Sequence, residues 1–237
     1  RGCIVNIYNE EQFIAGAVSE RIIINMCREK RSIELLQRLE DDGALVINSG
    51  YGIENCIRER MTRILLGSGL PYPGSLTVNT DEAIRDRLNA AKVGSCWIKR
   101  ADTHSMHKED VTYVRHPEEA QEILQEYFLR GIKRAVINRH LKGHLVKFYG
   151  IAGTQFFHWF FPRNPESVPE AFDHRQLRAI AERAADVLDV KIYGGDCIVD
   201  DEGHSYIVDF KDWPSFAPCR AGHTITCIPN PINTNLF

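Results

Sequence analysis

The chain lacks any apolar run near the ~20 residues a membrane-spanning helix needs, so no bilayer partner is expected. It also lacks a basic excess. Lys and Arg number 29 against 32 Asp and Glu, a net charge of −3, which argues against a general nucleic-acid binder. No CxxC pair occurs, and the seven cysteines, at 3, 27, 56, 96, 197, 219 and 227, are odd in number and scattered. That pattern fits reduced thiols better than a disulfide framework, so a cytoplasmic protein is expected. Internal repeats and low-complexity tracts are missing as well. The first residues, Arg1 to Asn6, lack the apolar h-region of a secretory signal, and position 1 is not Met, which suggests a trimmed or partial chain.

What is present is an ordinary globular composition, 43% hydrophobic and 26% charged over 237 residues, long enough for one large or two modest domains. Arg21–Asn25 and Ala44–Asn48 read as short strands around a helix whose apolar positions are 33, 35, 36 and 39. Asn48–Gly52 reads as a turn, and Ile53–Leu66 as one continuous amphipathic helix. Together these predict a small, doubly wound α/β layer over 1–73, closed by the break Leu70-Pro71-Tyr72-Pro73-Gly74. Over 74–220 the pattern shifts. Strands are predicted at 75–78, 95–99, 111–114, 135–138, 145–149 and 154–161. Helices are predicted at 82–91, capped by Thr80 or Asp81, at 117–130 with Pro in the first turn, and at 176–188. The aromatic run Phe156–Phe161 has two apolar faces and reads as a strand buried in a sheet core. Residues 221–237, with Pro229-Asn230-Pro231, read as an irregular tail.

The segment IYGGDCIVDDEGHSYIVDFKDWPSF, residues 192–216, carries the chemistry. It reads as two strands joined by a tight turn in which Gly203 is free to take positive φ. Such a hairpin brings Asp196 and Asp209 onto one face. Two carboxylates that close repel unless a cation lies between them, and Mg²⁺ with nucleotide phosphates suits a site of one or two carboxylates. The alternative is a solvated hairpin with acidic tips.

This hairpin resembles the metal-binding hairpin of the ATP-grasp superfamily, with Gly195-Asp196 on the first strand and Asp209-Phe210-Lys211 on the second. Lys211 stands where that family usually has Asn as a metal ligand. Three readings stay open there: Asp212 substitutes by a register shift, Lys211 contacts phosphate, or the site is weakened. Further pieces occur in family order: INSGYGIENCIRERMTRILLGSGLPYP at the entry, CWIKRAD at the lysine strand and INRHLKGHLVKFYGI at the hinge. The resemblance is to two branches, amino-acid ligases related to the ribosomal-protein glutamate ligase and the inositol-trisphosphate kinases. It spans residues 20–216 and implies a mixed α/β and α+β chain with the ATP-grasp fold, ATP and Mg²⁺ as cofactors, and a small-molecule or peptide substrate.

Carried over residue by residue, the resemblance implies that Lys99 binds ATP phosphates as a point charge. It implies that Ser105 and His107 lie in the loop over the phosphates, although here that loop has no Gly. The adenine is expected beside Asn138, Arg139 and Leu141, with Lys147 contacting phosphate or substrate. Arg163 is expected to stabilise the transferring group, and Asp196 and Asp209 to hold the metal. For Lys99, Lys147 and Arg163 the alternative is a solvent-facing cation. The implied activity is a carboxylate–amine ligase acting through an acyl phosphate. The alternatives are an ATP-grasp small-molecule kinase and a nucleotide-binding module without turnover.

Overall fold

The computed structural model describes residues 4–16, 18–102, 108–162 and 169–215. Three layers follow one another along the chain. The first holds helix α1 (Glu10–Ala15), strand β1 (Ile22–Ile24), helix α2 (Lys30–Asp41) and strand β2 (Leu45–Ile47), with β1 and β2 parallel. Its core is Phe13, Ile23, Leu36, Val46 and Ile53. The α1 N-terminus carries a capping box between Asn9 and Gln12. Glu10 reaches past it to accept from the backbone N–H groups of Arg28 and Glu29 and from the Ser32 hydroxyl, which fixes the loop before α2.

Helices α3 (Gly50–Asn55) and α4 (Arg58–Gly67) stand where one continuous helix is predicted. The chain breaks at Cys56–Ile57 because Ile57 is extended, at φ −61° and ψ 130°. The apolar spacing persists across the break, so periodicity alone misses it. The predicted turn at Asn48–Gly52 is in part the start of α3, where the Ser49 hydroxyl accepts from Gly52 N–H.

The second layer is an antiparallel sheet in the order β3-β6-β4-β5. Its strands are β3 (Ser75–Asn79), β4 (Cys96–Arg100), β5 (Val111–Val114) and β6 (Arg134–Arg139). Helices α5 (Arg85–Ala90) and α6 (Ala120–Leu129) cover one face of it. The predicted cap of the first helix is not formed. The helix starts at Arg85, Thr80 donates to the Ile132 carbonyl, and Ile84 N–H goes to Gln121. Pro117 opens a short 3₁₀ turn before α6.

The third layer is a sheet in the order β10-β9-β7-β8. It is built from β7 (His144–Ile151), β8 (Phe157–Phe160), β9 (Ile192–Val199) and β10 (Ser205–Lys211), and it packs on α7 (His174–Leu188). The core under α7 also takes Met61, Leu65, Leu70 and Tyr72, so α4 packs with this sheet. Strand β8 is at the edge and half-buried, not in a sheet core as its aromatic run predicts. An edge strand can be apolar on both faces when rings pack against each other, as Trp159 does on Phe161 and Phe172. No helix among the described residues is long and apolar enough to cross a membrane.

One buried side chain ties the first layer to the third. Asn48, 1% exposed, accepts from Lys191 and Ile192 N–H at 2.8 Å each and donates to the carbonyls of Ile192 and Asp212. An amide has the donors and acceptor for all four.

Candidate functional site

Strand alternation builds the site from two facing walls. In the second layer Cys96, Ile98, Ala135 and Ile137 are core residues. Their neighbours Trp97, Lys99 and Asn138 therefore stand on the opposite face, with Trp97 directly across from Asn138. In the third layer Val146, Phe148, Cys197 and Phe210 are core, which puts Lys147, Asp196 and Asp209 on the other face. Register aligns these three in one cross-strand row, Lys147 opposite Asp196 and Asp196 opposite Asp209. Between the walls lies a cavity of about 720 Å³, lined among others by Lys99, Asn138, Arg139, Leu141, Asp196 and Asp209. Cavities of this size hold small-molecule ligands.

Local sequence explains the row. Gly203 takes φ +87° in the turn, and Asp200 accepts from His204 N–H, closing the hairpin. A Cβ on Gly195 would lie 2.5 Å from the Asp209 carbonyl and 2.6 Å from Phe148 Cζ, so only glycine lets β9 and β10 pair here. The register shifts between Ile207 and Asp209. This bulge leaves the Val208 carbonyl to accept from Lys99 Nζ at 2.8 Å.

Each carboxylate faces a cation. Lys147 Nζ is 2.7 Å from Asp196 Oδ1. Arg58 Nη2 is 3.5 Å from Asp209 Oδ1, and Lys211 Nζ is 3.6 Å from Asp209 Oδ2. Beyond the row, Arg28 Nη1 is 2.6 Å from Asp212 Oδ2. Lys99 is 8% exposed. Burial lowers its pKa to about 8, against the opposing pull of Asp209. Lys211 is held above the usual lysine value, chiefly by Asp209.

The donor set suits Mg²⁺ and a polyphosphate: two carboxylates on adjacent strands can take a hard cation, and four ammonium or guanidinium groups beside them can take phosphate oxygens. Aromatic rings line another part of the cavity wall: Trp97 Nε1 and His140 Nδ1 are 3.1 Å apart, and Tyr113 packs on both rings. Asn138 donates to Ser75 Oγ at 2.6 Å, while its Oδ1 is buried without a hydrogen-bond partner, an acceptor left for an amino group.

The structure thus gathers Lys99, Asn138, Arg139, Leu141, Asp196 and Asp209 around one cavity, with Lys147 joined through Asp196. The Arg139 guanidinium is turned to the carbonyls of Ala91 and Lys92, 3.4 Å from each. Ser105, His107 and Arg163 lie outside the described residues. Sequence reasoning missed Arg58, which is buried at the start of α4 and donates to the Arg100 carbonyl at 3.0 Å. It also missed Arg28 and Trp97. The only local signal for Arg58 is a charge directly after Ile57 inside an apolar helix pattern. Asp212 follows the last register pair and is held by Arg28, outside the Asp196–Asp209 row.

Two sheets gripping a cavity, the second presenting a paired-carboxylate hairpin, define the class: this chain has the ATP-grasp fold. Solved structures of that fold superpose over most of it. D-alanine–D-alanine ligase from Bacillus anthracis matches with a TM-score of 0.67 at 16% identity, over 88% of this chain and 74% of that one. The corresponding ligase from Coxiella burnetii gives 0.63 at 14%, over 84% of this chain. The ATP-grasp ligase PsnB, complexed with precursor peptide PsnA2 and AMPPNP, gives 0.55 at 19%, over 80%. This chain spans 61% of the Coxiella ligase and 62% of PsnB. No protein-family model and no curated protein sequence matches it.

Proposed function

We propose that the cavity binds ATP with Mg²⁺ and that the chain is an ATP-dependent carboxylate–amine ligase acting on an amino acid or peptide. The supporting observation is that buried Lys99 faces the Asp196–Asp209 row across one cavity. In this reading Asp196 and Asp209 hold the metal, and Lys99 and Arg58 neutralise the phosphates. Lys147, with Arg163, steadies the transferring phosphoryl group, and Ser105 and His107 lie over it. The base sits between Trp97 and the hinge residues Asn138, Arg139 and Leu141. The γ-phosphoryl group passes to a substrate carboxylate oxygen, and an amine then attacks the acyl carbon and displaces phosphate. These steps need positioning and charge stabilisation, with no covalent enzyme intermediate. Ligation is favoured over the kinase reading because the three solved structures named above are ligases, two of them D-alanine–D-alanine ligases and one complexed with a peptide.

The test is ADP release with Mg-ATP across amino acids, peptides and inositol phosphates, beside a thermal-shift titration of ATP with and without Mg²⁺. Release that needs both a carboxylate and an amine supports the ligase. Release driven by a hydroxyl substrate alone turns the reading to a kinase. A shift without release under any condition leaves a binding module, and no shift with saturating ATP refutes nucleotide binding.

A further inference from the structure

Lys211 gives the cleft a fixed positive charge beside Asp209, and the charge count around the carboxylate row limits how many metal ions it can take. Lys99, Lys147, Lys211 and Arg58 surround Asp196 and Asp209, so four cations against two carboxylates leave two positive charges. The Arg28–Asp212 pair adds nothing to this balance. ATP carries four negative charges, so one divalent ion completes neutrality and a second leaves two uncompensated positive charges in the cleft. Like charges held this close repel, which weakens binding of the second ion. Geometry gives the same answer. A two-metal site needs ions close together, clamped by shared ligands, whereas Lys211 Nζ lies 3.6 Å from Asp209 Oδ2, so an ion shared through that oxygen would sit against an ammonium. Lys211 reaches its carboxylate from the end of β10, directly opposite Gly194, which carries no side chain to displace it.

We propose that this chain binds its nucleotide with a single divalent ion, held by Asp196 and one edge of Asp209, and that the Lys211 ammonium occupies the position of a second. This rests on the nucleotide reading above and specifies its metal content. A lysine there fixes charge without needing free metal, so nucleotide binding saturates at the metal concentration that fills one ion site.

The experiment counts Mn²⁺, used in place of Mg²⁺, on the whole chain with one equivalent of AMPPNP, by equilibrium dialysis and EPR. One ion per chain is expected for the parent, and two, spin-coupled, for Lys211→Asn, which supplies an oxygen ligand. Lys211→Met removes the charge without adding a ligand and should stay at one ion with roughly tenfold weaker nucleotide binding, as for loss of one charge-assisted contact. Two ions in the parent, or one in Lys211→Asn, would overturn the proposal while leaving the nucleotide reading intact. Failure of the parent to bind AMPPNP at all, read separately by thermal shift, would overturn both. Lys211 is half-exposed at a strand end, so both variants should fold.

Discussion

Replacing Lys99 by Met should make the protein more stable and less able to bind nucleotide at the same time. The lysine is buried on a sheet face, and its pKa falls from 10.5 to about 8. At about 1.4 kcal/mol per unit, holding the charged form in the fold costs on the order of 3 kcal/mol at neutral pH. Met fills similar space without charge. It loses the charge-assisted hydrogen bond to the Val208 carbonyl, which costs about 2 kcal/mol. The net gain at pH 7 is therefore about 1 kcal/mol in the nucleotide-free protein. The folded pKa lies below the unfolded one, so the unfolded chain holds more protons between about pH 8 and 10.5, and the parent gains stability from this residue as pH rises through that window. The advantage of Met should shrink accordingly and vanish above it. Urea unfolding of both proteins at pH 7 and pH 10 reads the difference directly. Nucleotide binding moves the other way: Lys99→Met should lose ATP affinity by about a hundredfold or more, in line with a buried charge-assisted contact. A Met variant less stable than the parent at pH 7, with ATP affinity unchanged, would refute the assignment of Lys99 as a strained phosphate-binding group.

Three further outcomes follow from the same geometry. Parent ATP affinity should fall as pH rises above about 8, where the Lys99 ammonium is lost, by up to about tenfold per unit; a flat calorimetric titration from pH 7 to 9 would contradict this. Asp196→Asn and Asp209→Asn should each abolish the Mg²⁺-dependent part of the ATP thermal shift while unfolding as cooperatively as the parent, and an unchanged shift removes that residue from the metal site. Asn48→Ala should cost about 2–4 kcal/mol in chemical denaturation, since it strips partners from four backbone groups, one of those hydrogen bonds buried and three part-buried; a loss under 1 kcal/mol would mean that the two layers are held by something else.

Most strands and the hairpin were legible in the sequence because their signals are local. The turn at Gly203 and the alternation around Asp196 need only neighbouring residues to be read. Lys99 was legible as a charge ending an apolar strand, which demands a partner wherever the strand goes. Asn48 and Arg58 were not, because each acts on a segment far along the chain: Asn48 on residues 191, 192 and 212, Arg58 on Arg100 and Asp209. Asn48 instead looked like a turn residue. Strand β8 misled for a related reason, since two apolar faces predict full burial only if another strand lies beyond, and among the described residues none does. The break between α3 and α4 escaped because Ile57 keeps the helical apolar period while its backbone is extended.

The Asn48 amide behaves as a peptide unit borrowed from outside the sheet: it accepts from two consecutive N–H groups and donates to two carbonyls, as a neighbouring strand would. The β1–β2 layer and the β7–β10 sheet are thereby riveted into one jaw. The β3–β6 sheet has its own core, and Arg58 to the Arg100 carbonyl, Arg134 to Glu59, and Lys99 to the Val208 carbonyl are among the polar links that join it to that jaw. The last of these spends the Lys99 ammonium on holding two sheets together, so the group that faces the carboxylate row is also part of the seam between them.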